Sequence, residues 1–95
     1  MNTTEYLLSC LIEECAEVIQ RATKAQRFGL REIQPDQFLT NEQRLAAELA
    51  DLTGVLQLLG GENVNLTASA GAIEDKKVKV KKFMDYSHKL GTLHR

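Results

Sequence analysis

Leu7-Leu8-Ser9-Cys10-Leu11-Ile12-Glu13-Glu14-Cys15-Ala16-Glu17-Val18-Ile19 is the stretch that decides the fold. Its apolar residues recur at i, i+3, i+4 and i+7, which predicts an amphipathic helix from about Thr4 to Arg27. Glu14 and Glu17 are three apart and project to one side of that helix. On a helical wheel the apolar residues, Cys15 and Ala22 included, span about 120°, and Glu13, Glu14, Glu17, Arg21 and Lys24 fall on a separate flank. Two readings of that flank are open. One is a solvated face with Glu17 and Arg21 as an i, i+4 ion pair. The other is half of a cation site.

A second helix carries the other half of the pattern. Thr40-x-x-Gln43 reads as a capping box, and Gly60-Gly61 as the stop. Between them Glu48, Asp51, Leu52, Val55 and Leu59 share one side. An ordinary amphipathic helix sets its acids opposite the apolar stripe, whereas Glu48 and Asp51 run in line with it. Breaks in a local pattern concentrate at functional sites. The bland alternative is that Glu48 pairs with a lysine on a helix buried on several sides. Two helices packed through these faces would bring four carboxylates together. Burying them is unfavourable unless a cation compensates, and hard oxygen donors suit Mg²⁺ or Mn²⁺.

The rest of the chain predicts a third helix, starting loosely after Asn65 and running to about Leu90, with Gly91 as its stop. No strand is expected. The fold class is therefore all-α: one domain over residues 1–95, with about three helices per chain. The hydrophobic fraction is 43%, with five aromatic residues and no Trp. So small a chain is short of core, and a helical bundle completed by homodimerisation is expected. The net charge of -1 gives no bias toward nucleic acid. No apolar run approaches the ~20 residues of a membrane span. The N-terminus lacks a basic n-region, so no secretory signal is expected. Cys10 and Cys15 point to different sides of one helix and match no metal or redox spacing, which suits reduced thiols in a cytoplasmic protein.

Glu13-Glu14-Cys15-Ala16-Glu17 followed by Glu48-Leu49-Ala50-Asp51 resembles the signature of the MazG-like, all-α nucleoside triphosphate pyrophosphohydrolases: ExxE, a spacer, then ExxD. Arg21-Ala22-Thr23-Lys24-Ala25-Gln26-Arg27-Phe28-Gly29 and the tail from Lys79 to Gly91 look like the short members found in bacteriophages. The spacer from 18 to 47 is at or just beyond the family's usual upper length. Little chain follows Gly60, where many members carry a further helix. The resemblance implies Glu14, Glu17, Glu48 and Asp51 as Mg²⁺ ligands, with Mn²⁺ as a substitute. It implies Glu13 as a fifth acid that orients the cluster or helps activate water. The implied reaction takes a (deoxy)nucleoside triphosphate and water to the monophosphate and pyrophosphate, in homodimers or tetramers. In a phage setting it implies dNTP-pool control in the host cytoplasm, with a purine dNTP such as dGTP as first guess. No Ser, Cys or His nucleophile is needed, and both histidines, His88 and His94, lie near the end of the chain.

Phosphate contacts are expected from Lys24 and Arg27, although cations also suit a helix C-terminus through its dipole. Lys79 and Lys82, from the cluster Lys76 to Lys82, are the candidates to reach across to the triphosphate. Such a run also reads as a solvated face. Phe28, Phe38 and Tyr6 are candidate walls for the base, against ordinary packing roles. The 30-to-40 loop is a candidate lid. Two other functions fit the same residues. One is a non-catalytic helical oligomerisation or interaction module. The other is a metal-binding regulator without turnover.

Overall fold

The computed structural model describes residues 1–95 as three helices and no strand: α1 (Thr3–Phe28), α2 (Asn41–Gly61) and α3 (Ala70–Leu90). Side-chain caps start each one. Asn2 accepts from the Glu5 amide at 2.8 Å. Thr40 and Gln43 form the expected capping box, with bonds of 3.1 and 2.9 Å. Ser69 accepts from the Ala72 amide at 3.1 Å, so α3 begins at Ala70, later than the expected start just after Asn65. The Asn65 side chain instead accepts from the Thr67 amide at 3.1 Å, a local turn that competes with helix.

The helix ends follow backbone geometry. Gly91 adopts a left-handed φ of 81°, and the Thr92 and Gly91 amides return to the Ser87 and His88 carbonyls at 3.0 Å each. At the end of α2 the same paired bonds run from Val64 to Leu59 (3.0 Å) and from Asn63 to Gly60 (3.1 Å). The left-handed residue there is Asn63, with φ 64°. Gly60 and Gly61 thus lie within the last turn of α2, and Asn63 supplies the stop assigned to them from sequence. Asparagine tolerates this conformation because its short polar side chain bonds locally.

α1 and α2 form an antiparallel hairpin, the one helix–helix contact in the chain. Against α2, α1 presents Leu7, Leu11, Glu14, Val18, Arg21 and Ala25, all at least half-buried; from α2 come Asn41, Leu45, Glu48, Leu52, Val55 and Leu59. Both sets step by alternating threes and fours, the spacing of a two-helix seam. Glu14 and Arg21 therefore belong to the buried stripe of α1, not to the separate flank expected from the wheel. The other apolar edge of α1, with Ile12 72% and Ile19 67% exposed, faces away.

The connection between the helices is fastened. The buried Asn41 donates from Nδ2 to the Gly29 carbonyl at 2.8 Å and to Glu32 Oε1 at 3.0 Å. The Asn41 and Glu42 amides bond the Glu32 and Leu30 carbonyls, each at 3.0 Å. Arg31 pairs with Glu42, and Arg44 donates to Gln34 at 3.1 Å. Pro35 and Asp36 (φ 64°) form the centre of a turn closed by the Gln37 amide on the Gln34 carbonyl at 3.0 Å. The segment expected as a lid is, over residues 29–34, a strap tied to the first turn of α2.

α3 touches neither other helix. Only Ala25, Leu59 and Asn41 are buried in the whole chain. Its accessible surface is 7511 Å², against roughly 5,500 Å² for a compact protein of this mass. The radius of gyration is 16.9 Å, against roughly 12 Å for a compact chain of this length. Val80, Phe83 and Met84 on α3 are open to solvent.

Asn41→Ala is expected to lower stability by about 2 kcal/mol, because it leaves the Gly29 carbonyl unpaired at the hairpin's closed end. Gly91→Ala is expected to lower it by about 1 kcal/mol through strain at a left-handed position. Urea titrations followed by helical circular dichroism check both.

Candidate metal centre

The seam places carboxylates where each helix should present apolar residues. Glu14 lies on α1 about four turns from the closed end of the hairpin, and Glu48 and Asp51 lie two to three turns into α2. One carboxylate oxygen from each of Glu14, Glu48 and Asp51 falls within 4.8 Å of the others. Glu14 and Glu48 are half-buried and Asp51 is exposed, so the trio forms a rim at the edge of the seam. Asp51 stands one turn beyond Glu48, which is why a single α1 residue meets both.

The donor set is all carboxylate oxygen. Ligands of an octahedral Mg²⁺, at bonds of about 2.1 Å, stand about 3 Å apart when adjacent and about 4.2 Å apart when opposite. The three oxygens lie within 4.8 Å of one another, so carboxylate rotation is what would bring them to that spacing. Mg²⁺ or Mn²⁺ fits the chemistry of this donor set.

The electrostatics record the crowding. The Glu14 carboxyl is held above the ordinary carboxylate range, first by its removal from water. The negative charges of Asp51, Glu48 and Glu13 raise it further, as does a side-chain hydrogen bond with Glu48. Glu13 thus acts on the trio by proximity, from an exposed position. The nearest cation is Arg21, whose Nε is 4.0 Å from Glu48 Oε1, with side chains 19% and 17% exposed. Arg21 Nη1 is buried and finds no hydrogen-bond partner. The i, i+4 pair between Glu17 and Arg21 that the solvated-face reading offers does not form; Arg21 reaches across to Glu48 on α2.

The other expected residues are dispersed. Glu17, half-buried and one turn along from Glu14, does not join the trio in this conformation. Lys24 is half-buried on α1. Arg27 lies over the Phe28 ring, 5.6 Å from its centroid. Lys79 and Lys82 are exposed on α3, which makes no contact with the helices bearing the carboxylates. Tyr6 and Phe28 stand at opposite ends of α1, about 33 Å apart along its axis, so they do not wall one pocket within a chain. Phe38 is 93% exposed in the connection. The chain has two concavities, and the trio lines neither. Sequence reasoning missed the polar seam positions Asn41 and Arg21. The alternating three-four spacing through Leu7, Leu11, Val18 and Ala25 was the signal that would have placed Arg21 in it.

No helix of the chain is long and apolar enough to cross a membrane. Compared with known protein families, curated proteins and solved structures, the chain matches none.

Because folding holds the Glu14 proton more tightly than the unfolded chain does, metal-free protein loses stability as pH rises from the ordinary carboxylate range through the raised Glu14 pKa. Above that window the deficit is complete; below it, absent. Glu14→Gln removes this contribution. In EDTA the variant is expected to melt higher than wild type at pH 8, with the gap shrinking toward pH 4. Paired thermal melts across that range check the sign.

Proposed function

We propose that this protein is a Mg²⁺-dependent hydrolase that converts a (deoxy)nucleoside triphosphate to the monophosphate and pyrophosphate. The observation that carries the reading is the convergence of Glu14, Glu48 and Asp51 within 4.8 Å from two different helices. Their order along the chain is that of the ExxE and ExxD motifs. A divalent cation bound there would supply charge neutralisation at the phosphates and a lowered pKa for water. The chain's part is positional. Glu14 and Glu48 hold the cation from the seam, and Asp51 holds it from the open rim, where a phosphate chain has access. Glu17, one turn along α1, is the fourth ligand, reaching the site after a rotamer change. Glu13 adds negative charge beside it. The substrates belong to the cytoplasm.

The active form is a homodimer or tetramer. The surface excess of roughly 2,000 Å² per chain, about 4,000 Å² for a pair, is the size of an obligate homodimer interface. The second copy would cover Ile12 and Ile19 on α1 and Val80, Phe83 and Met84 on α3. α3 carries six lysines against Glu74, Asp75 and Asp85. Lys79 and Lys82 of one copy would then serve the carboxylate rim of another. An aromatic wall for the base would likewise come from a second copy.

Purified protein incubated with each common NTP and dNTP, in Mg²⁺ or in EDTA, tests the reading. Release of monophosphate and pyrophosphate is expected in Mg²⁺ only, falling at least 100-fold with Glu48→Gln, as for loss of a metal ligand. Light scattering is expected to give two or four times the 10.6 kDa chain mass. Folded, assembled protein that binds Mn²⁺ without turnover would leave a metal-binding regulator. Protein that neither binds Mn²⁺ nor turns over would leave an interaction module.

A further inference from the structure

Arg21 occupies a seam position on α1, between Val18 and Ala25, where an apolar residue would ordinarily pack. Its side chain is 19% exposed, and its buried Nη1 has no acceptor. A guanidinium so far removed from water is unfavourable unless an anion compensates it. The anion is Glu48, itself 17% exposed, on the facing helix. No other lysine or arginine comes within 4.0 Å of Glu14, Glu48 or Asp51. Three carboxylates thus face one cation, and that cation touches only one of them.

We propose that Arg21 is a positioning residue: it sets the register of α1 on α2 and holds Glu48 turned so that the carboxylates of Glu14, Glu48 and Asp51 converge. The inference rests on the metal-site reading above. Polar groups within a two-helix seam commonly fix register, because any slip leaves them facing apolar neighbours. A slip of one turn here would carry Arg21 away from Glu48 and leave Glu14 facing at most one acid of α2. Closing the Arg21–Glu48 separation from 4.0 Å by about 1 Å makes a charge-assisted hydrogen bond. That bond would anchor one oxygen of Glu48 and leave the other for a cation. Partners that orient a ligand from behind are worth about 10–100-fold in metal affinity. Arginine's flat fork does this better than lysine's single ammonium.

The test combines a double-mutant cycle with a metal titration. Arg21→Met keeps the apolar stem and removes the charge; Arg21→Lys keeps the charge and removes the fork. In EDTA, Arg21→Met is expected to lower the melting midpoint by on the order of 5 °C. In the Glu48→Gln background the same substitution should lower it less than half as much. In Mn²⁺ titrations by calorimetry, Arg21→Met should bind at least about 10-fold more weakly, with Arg21→Lys between it and wild type. Additive effects in the cycle would overturn the proposal, since a residue that only fills space has no coupling to Glu48. Unchanged or tighter Mn²⁺ binding by Arg21→Met would also overturn it, because Arg21 would then compete with the cation instead of positioning its ligand. Wild-type protein that takes up no Mn²⁺ would remove the metal-site reading alone. The cycle in EDTA would still decide whether Arg21 holds Glu48.

Discussion

The register of α1 against α2 is the constraint on which the rest of the structure depends. It is fixed at one end by Asn41, whose side chain bonds the Gly29 carbonyl and Glu32 across the connection. Farther in, it is marked by Arg21 opposite Glu48. Both contacts join polar groups out of bulk water, where an unpaired donor is far more unfavourable than in solvent. Apolar seam residues give the hairpin its adhesion, but leucine on leucine tolerates sliding. Polar seam residues give it a single alignment, and that alignment brings Glu14 to Glu48 and Asp51.

Stability and site are in tension at Glu14. A carboxylate at a seam position, beside two others, raises its own pKa and weakens the metal-free fold. A Leu or Ala there would pack better. The chain thus carries an arrangement that a divalent cation would relieve, the sense in which a binding site is often locally unfavourable without its ligand. The hairpin has little stability to spare, since Ala25 and Leu59 are its only buried apolar residues. α3 packs on neither other helix, and the proposed assembly would cover it.

Much of the local architecture was legible. Thr40 and Gln43 announce the start of α2, and Gly91 the end of α3, because caps are short-range geometry written in adjacent residues. Glu48 and Asp51 stood out as acids in line with an apolar stripe, with Glu14 and Glu17 as their partners; of these, Glu17 does not meet the others and Asp51 lies exposed beside the stripe. Asn63 was not read as a helix stop because the adjacent Gly60-Gly61 is the stronger local signal. Arg21 was not read as a seam residue because a helical wheel averages the apolar stripe over its length. The contact face is narrower, and only packing shows which edge of the stripe is covered.

The sequence by itself determined three helices, the Thr40 capping box, the Gly91 stop and the two acidic pairs, since each depends on interactions within a few residues along the chain. Tertiary structure decided which carboxylates meet, that Arg21 faces Glu48 and not Glu17, and that α3 stands apart. Those outcomes depend on the relative register and direction of whole helices. They are set by the sum of many weak contacts and a few polar ones, and no local pattern encodes that sum.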